Sequence, residues 1–408
     1  MIGQSERLWD PSDPAFRANP YAFYDRLRTE APVYRVPGGP LVVSRYDDAV
    51  RVLRSNSFSR DVEANARIDE SDEIAVRRRD RRGGAKTILN LDPPDHTRLR
   101  RLVSKAFTPN AVDRLRPRIE TMVDAVLERA AARGEIELVD ELAFPVPFQV
   151  ISELLDMPTE RADELRAWSQ ALTLGLEPGA TMEDLDAAEA AIMQLVPYLV
   201  TIIDARRSAP GDDLLSGLLA VEDDGDTLSP AELIAFVVLL YVAGHETTVN
   251  LIGNGTLALL RNPDQLARLR NDTTLDGAAI DELLRFDGPV QHTVRVPLEP
   301  IAFLGAHGET IVAEPGDTVL TVLGAANHDP QIFVDPHALR LDRHNAQRHL
   351  AFSTGIHYCL GASLARLEAT IAIGRLIRRF DVVELAGEPR WRDRLTIRGV
   401  DRLPLRVS

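Results

Sequence analysis

The segment 349–380 reads HLAFSTGIHYCLGASLARLEATIAIGRLIRRF, and its Cys359 is the only cysteine among 408 residues. A loop containing Gly355 leads to this cysteine, and a strongly helical pattern starts near Leu360. The dipole and the free N–H groups at such a helix start favour a thiolate over a thiol. Gly355 and Gly361 remove side chains on both sides, which lets the backbone come close to a flat, bulky group.

Three interpretations of Cys359 are compatible with this pattern. A lone cysteine is often a buried structural thiol, and a nucleophilic cysteine would need a general base close by. The third interpretation is a thiolate bound axially to haem iron, which accounts for the glycines, the helix and the neighbouring cations together.

Composition and charge argue against several classes of protein. Hydrophobic residues make up 45% and charged residues 27% of the chain, which is typical of a globular protein. The net charge of −15 would repel nucleic acid and anionic lipid, so no nucleic-acid partner is expected. A single cysteine forms no internal disulfide, and the first residues lack the features of a signal peptide. We therefore expect a soluble cytoplasmic protein with no membrane anchor.

One basic run, RRRDRR from Arg77 to Arg82, opposes the acidic balance of the chain. The ordinary interpretation of such a run is a solvated helix or loop face. An anion-binding or partner-docking patch is the alternative.

Helical periodicity dominates the middle of the chain. In segments 111–134 and 263–286, apolar residues recur every three or four positions. Short strand-like patches lie toward the two ends, at 31–36, 40–45 and 318–327. Because no repeat or linker divides the chain, we predict one domain over residues 1–408, mainly α with small β-sheets (α+β).

The segment 228–263 predicts the longest helix. Ser229 is its N-cap, Pro230 takes the first helical position and Glu232 completes a capping box, while Asn262 and Pro263 mark its end. Its apolar run stops after about eleven residues, which is too short to cross a bilayer. A helix buried in the core is therefore predicted.

Polar and flexible residues, GHETT at 244–248, interrupt this apolar helix. A Thr hydroxyl can bond back to a carbonyl one turn earlier and open the helix locally. The carboxylate of Glu246 beside the hydroxyl of Thr247 indicates a proton relay. A polar kink between packed helices is the alternative interpretation.

Several motifs together resemble the cytochrome P450 family. FSTGIHYCLG (352–361) is similar to its haem-binding signature, Phe-x-x-Gly-x-His/Arg-x-Cys-x-Gly. AGHETT (243–248) resembles the family's oxygen-activating segment, and DELLR (281–285) resembles its Glu-x-x-Arg pair. The segments 92–109 and 328–343 complete the match in the family's order. The resemblance covers nearly the whole chain and implies the cytochrome P450 fold, with haem b between the long central helix and the helix after the cysteine.

The resemblance also implies a role for each matched residue. Cys359 would be the axial thiolate ligand of the haem iron, with Glu246 and Thr247 as the catalytic proton-handling pair. Gly355 and Gly361 would give the haem room. The cofactor's propionates would be held by His96, Arg100, Arg295 and His357.

A structural role is implied for the Glu-x-x-Arg pair. Glu282 and Arg285 lie three residues apart on one helix face, consistent with an ion pair. By the resemblance, Arg343 joins them and holds the fold around the haem. The chain departs from the family pattern at Ser353, where Gly is common, and at Leu339, where an aromatic residue is common.

The implied reaction is the insertion of one oxygen atom from O2 into a medium-sized apolar substrate, by hydroxylation or epoxidation. Soluble bacterial members receive electrons from a ferredoxin and its NAD(P)H-dependent ferredoxin reductase, and a monomer is expected. Arginines and a lysine near the Cys helix are candidate docking residues for such an acidic carrier: Arg101, Lys105, Arg366 and Arg375. A haem-based sensor and a peroxide-driven peroxygenase are the alternatives, but neither explains the Glu246 and Thr247 pair.

The walls of the substrate pocket are expected, by the same resemblance, in five mostly aliphatic segments. These are 77–88, 172–179, 240–247, 290–294 and 397–400. The sequence of the central helix is similar to that of family members that oxidise macrolides, other polyketides, terpenoids or steroids.

Overall fold

The structure is a computed structural model that describes residues 8–11, 13–81, 86–158, 160–221 and 225–408. Its α-helices are α1 (Pro14–Ala18), α2 (Tyr21–Glu30), α3 (Tyr46–Arg54), α4 (Val62–Asn65), α5 (Glu73–Arg81), α6 (Asp95–Ala106), α7 (Pro109–Asp113), α8 (Arg116–Arg133), α9 (Pro145–Leu154), α10 (Ala162–Leu174), α11 (Met182–Ser208), α12 (Leu214–Ala220), α13 (Pro230–Leu260), α14 (Pro263–Asn271), α15 (Asp276–Asp287), α16 (Leu323–Ala326) and α17 (Ala362–Arg379). A π-helical turn at Val139–Ala143 precedes α9.

The strands are β1 (Val33–Arg35), β2 (Leu41–Val43), β3 (Phe58–Ser59), β4 (Glu135–Glu137), β5 (His292–Pro297), β6 (Ile301–Leu304), β7 (Thr310–Ala313), β8 (Val319–Val322), β9 (Val383–Leu385), β10 (Arg390–Trp391), β11 (Val400–Arg402) and β12 (Pro404–Val407). The largest sheet has the order β1-β2-β8-β5-β3, with β2 and β8 parallel and the other neighbours antiparallel. Three smaller sheets are β4-β12-β9, β6-β7 and β10-β11. The predicted class, mainly helical with small sheets, is confirmed.

The helix α13 runs through the largest hydrophobic cluster. The capping box predicted for its start is present, since Ser229 and Glu232 exchange both hydrogen bonds. The helix ends at Leu260, two residues before the predicted end at Asn262. Asn262 is the N-cap residue of the following helix, α14. By length and composition α11 and α13 would be long enough and apolar enough to cross a membrane, so the short apolar run of α13 does not exclude a membrane span for the helix as a whole; 28% and 50% of their most apolar windows are buried in protein.

Two packing relations of α13 position the residues discussed below. It packs against α15 on one side and against α17 on another. The first of these helices carries the Glu-x-x-Arg pair, and the second begins three residues after Cys359, at Ala362 rather than near Leu360. Gly361 is the N-cap residue of α17.

Candidate functional site

Cys359 lies on a tight loop whose backbone is fixed by two unusual residues. Its N–H donates to the carbonyl of Phe352 at 3.0 Å. Ser353 has a φ of +62°, and Gly355 has a φ of +76°. A Cβ at Gly355 would lie 2.7 Å from the carbonyl oxygen of Leu53, so only glycine fits there. The loop therefore packs against α3 at Gly355 and places Cys359 just before the start of α17.

The start of the helix lowers the pKa of the Cys359 thiol, as predicted, through the Gly361 backbone N–H, and Arg100 and Arg366 act in the same direction. Desolvation by the surrounding protein has the larger, opposite effect and raises this pKa overall. Part of Cys359 nevertheless remains exposed. A thiol of this kind loses its proton when it coordinates a metal cation.

Open space adjoins the sulfur at the N-cap of α17. A Cβ built on Gly361 would meet no heavy atom within 4 Å. A flat group can therefore approach the backbone at this residue without displacing protein atoms.

The GHETT segment presents two different faces. Ala243 and Thr247 remain accessible in the middle of α13, although Glu246 and Thr248 are buried. The Thr247 hydroxyl donates to the Ala243 carbonyl at 3.0 Å, which is the back-bond that the sequence suggested. The hydroxyl of Thr247 therefore lies on the accessible face of α13, one residue from a buried carboxylate.

Two arginines from the C-terminal segment hold the Glu246 carboxylate. Arg392 forms a short ion pair with Glu246 Oε1, and Arg394 Nη1 lies 3.5 Å from the same oxygen. Arg394 also donates to the Thr173 hydroxyl at 2.7 Å and so links this carboxylate to α10. No sequence signal pointed to either arginine, because both lie in an irregular segment more than 140 residues away.

The buried face of α13 contacts a second carboxyl group that sequence reasoning missed. Burial raises the pKa of Glu368, on α17, to about 8, and the nearby Thr248 hydroxyl partly offsets this shift. Its Oε2 atom has no hydrogen-bond partner among the described residues. Glu368 is thus a carboxylic acid that keeps its proton at neutral pH.

A group of basic side chains gathers beside the Cys loop with few acids to balance it. Burial lowers the pKa of Arg295 to about 9, and its Nη1 donates only to neutral oxygens, Thr293 Oγ1 and the Val294 carbonyl. Burial, helped by neighbouring cations, also lowers the pKa of His357 to about 2. Arg60, which the sequence analysis did not identify, is one of those cations. A bound dianion would relieve this repulsion.

His96 and Arg100 of α6 belong to the same group. The His96 ring lies 4.2 Å from the His357 ring, and its buried Nδ1 has no hydrogen-bond partner in the described part of the chain. Burial lowers the pKa of His96 and of Arg100, while the charge of Cys359 partly offsets the shift of Arg100. The structure thus brings together all four residues that the resemblance assigned to carboxylate binding.

Glu282, Arg285 and Arg343 form one buried ion network. Arg285 donates two hydrogen bonds to the Glu282 carboxylate, at 2.7 and 2.8 Å, and Arg343 Nε donates to the same oxygens at 3.0 and 3.1 Å. The remaining guanidinium donors reach backbone carbonyls of segment 327–338. The two guanidinium groups share one carboxylate, and backbone carbonyls accept their remaining hydrogen bonds, so the network fastens α15 to the segment before the Cys loop. Leu339 is buried beside it.

Two of the five expected pocket walls, 77–88 and 172–179, meet at Glu177, on the turn between α10 and α11. Its buried carboxylate accepts hydrogen bonds from the backbone N–H groups of Leu395 and Thr396, and its carbonyl accepts one from Arg78. Arg77 forms ion pairs with α11, including one to Glu189 at 2.6 Å. Arg77 and Arg78 are thus engaged with the turn and α11 rather than simply solvated; the side chains of residues 79–81, and Arg82 as a whole, lie outside what the structure describes.

Two of the arginines expected to dock an electron carrier are engaged inside the molecule. Arg366 Nε lies 2.8 Å from Asp281, and Arg375 pairs with Asp124 on α8 at 2.6 Å. Both guanidinium groups thus form ion pairs within the chain, and their role in docking a carrier stays a prediction.

Comparisons with known proteins agree on one family. The model of the family Cytochrome P450 matches residues 17–396. Cytochrome P450 107B1 of Saccharopolyspora erythraea is 44% identical over 97% of this chain and 96% of its own, and the Vitamin D(3) 25-hydroxylase of Pseudonocardia autotrophica is 40% identical over 96% and 95%.

A solved structure shows the same fold. P450BioI, in complex with a hexadec-9Z-enoic acid ligated acyl carrier protein, superposes with a TM-score of 0.87 at 33% identity, over 97% of this chain and 99% of that one. The chain belongs to the cytochrome P450 family of monooxygenases.

Proposed function

We propose that this chain is a haem-thiolate monooxygenase that inserts one oxygen atom from O2 into a medium-sized apolar substrate. One observation carries the proposal: the only cysteine lies two residues before Gly361, which adjoins open space, and near Arg295 and His357, for which the described residues show no ion pair with a carboxylate. That combination suits haem b, whose iron takes a thiolate ligand and whose two propionates are anions.

The residues present fit the cofactor. Cys359 would bind the iron, and Gly361 would leave room for the macrocycle. Arg100, Arg295 and His357 would hold the propionates, with His96 donating from its unpartnered Nδ1. Bound in this way, the haem supplies the site at which dioxygen is bound and activated by electrons from outside.

Thr247 and Glu246 would manage the protons that this reaction consumes. The Thr247 hydroxyl lies on the accessible face of α13, where it can hold a water molecule. Glu246 is buried and paired with Arg392, so proton transfer requires this carboxylate to leave that ion pair. The apolar surroundings restrict the supply of protons to these two groups.

The partners and substrate belong to the same proposal. Electrons would come from a ferredoxin and an NAD(P)H-dependent ferredoxin reductase, to one cytoplasmic catalytic domain acting as a monomer. Two of the proteins named above have an apolar ligand in their names, vitamin D(3) for the hydroxylase and hexadec-9Z-enoic acid for the P450BioI complex, which supports an apolar substrate. The aliphatic pocket walls favour the same class.

Changing the proton-handling pair tests this function. In a system with ferredoxin, reductase and an accepted substrate, Thr247→Ala should retain haem and substrate binding but divert much of the NAD(P)H to hydrogen peroxide. Glu246→Gln should slow turnover on the order of 10²-fold, because proton delivery is lost, and should change the solvent isotope effect.

The neighbouring hydroxyl provides the control. Thr248 lies on the buried face of α13. Thr248→Ala should therefore keep the parent ratio of product formed to NAD(P)H consumed. If Thr247→Ala remains as tightly coupled as the parent, the relay is misplaced and the segment is a polar kink. If the parent turns over only with peroxide, it is a peroxygenase; if it binds ligands and turns over with neither, it is a sensor.

A further inference from the structure

Arg366 lies on α17, seven positions after Cys359, and its guanidinium contacts both sides of the Cys loop. Its Cζ atom lies 4.6 Å from the centroid of the Phe352 ring. Its Nη1 donates to the Tyr358 hydroxyl at 3.2 Å. One side chain thus touches the aromatic residue that opens the loop and the one that directly precedes the cysteine.

These contacts bear directly on the position of the sulfur. Phe352 accepts the hydrogen bond from the Cys359 N–H, and the Phe352 and Tyr358 rings meet edge to face at 6.4 Å. A cation over an aromatic ring and a hydrogen bond to a phenol both resist displacement of the rings. Movement of either ring would shift the loop backbone and therefore the position of the Cys359 sulfur.

Asp281 anchors Arg366 to the core. Its Oδ1 lies 2.8 Å from Arg366 Nε and 3.4 Å from Nε2 of the buried His349. The His349 ring is 5.5 Å from the Phe352 ring, and its Nδ1 accepts from the N–H of Ala351. Asp281 directly precedes Glu282, so the helix α15 that carries the buried ion network also supports the Cys loop.

We propose that Arg366, held by Asp281, is a positioning residue for the Cys359 loop. It keeps Phe352 and Tyr358 in place, and thereby keeps the sulfur where it can ligate the haem iron. This inference rests on the proposed function, because it concerns ligation by Cys359. It differs from a docking role for Arg366, since the contacts that support it lie within the chain and only 30% of the side chain is exposed.

The test follows the lifetime of thiolate ligation without any electron-transfer protein. The haem-loaded protein is reduced with dithionite under carbon monoxide in mild urea, and the decay of the red-shifted Soret band is timed. Arg366→Met should shorten its lifetime roughly ten-fold, the size expected for losing a cation–π contact and a partly buried ion pair. Asp281→Asn should act in the same direction. Arg366→Lys should restore part of the lifetime, because it keeps the charge without the planar contact.

Arg375→Met is the matched control. Arg375 lies on the same helix and forms comparable ion pairs with Glu120 and Asp124, but it has no contact with the loop. The control should keep the parent lifetime within about two-fold. Hydrogen exchange provides a second measurement: the Cys359 amide should lose protection in Arg366→Met and keep it in Arg375→Met.

The outcomes separate the two proposals. A parent protein without the red-shifted band would refute the proposed function itself. A normal parent band, with equal lifetimes for Arg366→Met and Arg375→Met, would overturn only the positioning role. Parent-like lifetime and amide protection in Arg366→Met, together with slower reduction by ferredoxin, would show that Arg366 serves docking instead.

Discussion

At the scale of single residues, one residue of the Cys loop, Ser353, has a backbone conformation that is unfavourable for its residue type. Ser353 has a φ of +62°, in the left-handed region that favours glycine, and its buried hydroxyl has no hydrogen-bond partner among the described residues. From the sequence, Ser353 is only a departure from the glycine that is common at this position in the family. The backbone geometry supplies the physical reason for that glycine.

Ser353→Gly should therefore stabilise the protein. We expect a gain of about 1 kcal/mol in the free energy of unfolding beyond that of Ser353→Ala, which removes the same hydroxyl but keeps a Cβ at positive φ. Urea unfolding of the three proteins measures both differences. Equal stabilities for the Gly and Ala variants would show that the backbone here carries no strain.

At the scale of elements, what could be predicted depended on whether the signal was local. The capping box of α13 and the strands β1, β2 and β8 follow from neighbouring residues, and the structure confirms them, although the strand predicted over 318–327 ends at Val322 and continues as the helix α16. The contacts of Arg392 and Arg394 with Glu246 do not follow from sequence, since they join an irregular segment to a helix far along the chain. Glu368 was missed for a related reason: its spacing on α17 predicts a helix face but not which helix covers it.

The contact between α13 and α17 yields a prediction about pH. Glu368 has a folded-state pKa of about 8, above its ordinary value of 4.5, so the folded protein binds one more proton than the unfolded chain between those values. Stability should therefore fall as pH rises from about 5 to about 8 and level off above that range.

Glu368→Gln should remove this part of the pH dependence. It should also raise the free energy of unfolding at pH 8 by a few kcal/mol at most. The reason is that folding then no longer favours a proton at position 368 that the unfolded chain has released. Urea unfolding at pH 5.5 and pH 8, with the exposed Glu384→Gln as control, measures both effects. An unchanged difference between the two pH values in Glu368→Gln would contradict the assignment.

At the scale of the whole molecule, the predicted fold and family are confirmed, whereas the electrostatics of the site needed the structure. The sequence motifs identified His96, Arg100, Arg295 and His357 separately. The structure shows that they form one group with too little negative charge nearby to balance it. The start of α17 lowers the pKa of Cys359 as the sequence predicted, but desolvation by the surrounding protein, which a local pattern does not reveal, has the larger effect and raises it.

The central claim, that Cys359 binds haem iron as a thiolate, is tested most directly by one spectrum. We predict that the purified protein contains one haem b per chain, and that its dithionite-reduced carbon monoxide complex has the red-shifted Soret band of thiolate ligation. Cys359→Ala should lose that band. An imidazole-type band in the intact parent protein, or a red-shifted band that survives in Cys359→Ala, would contradict the claim.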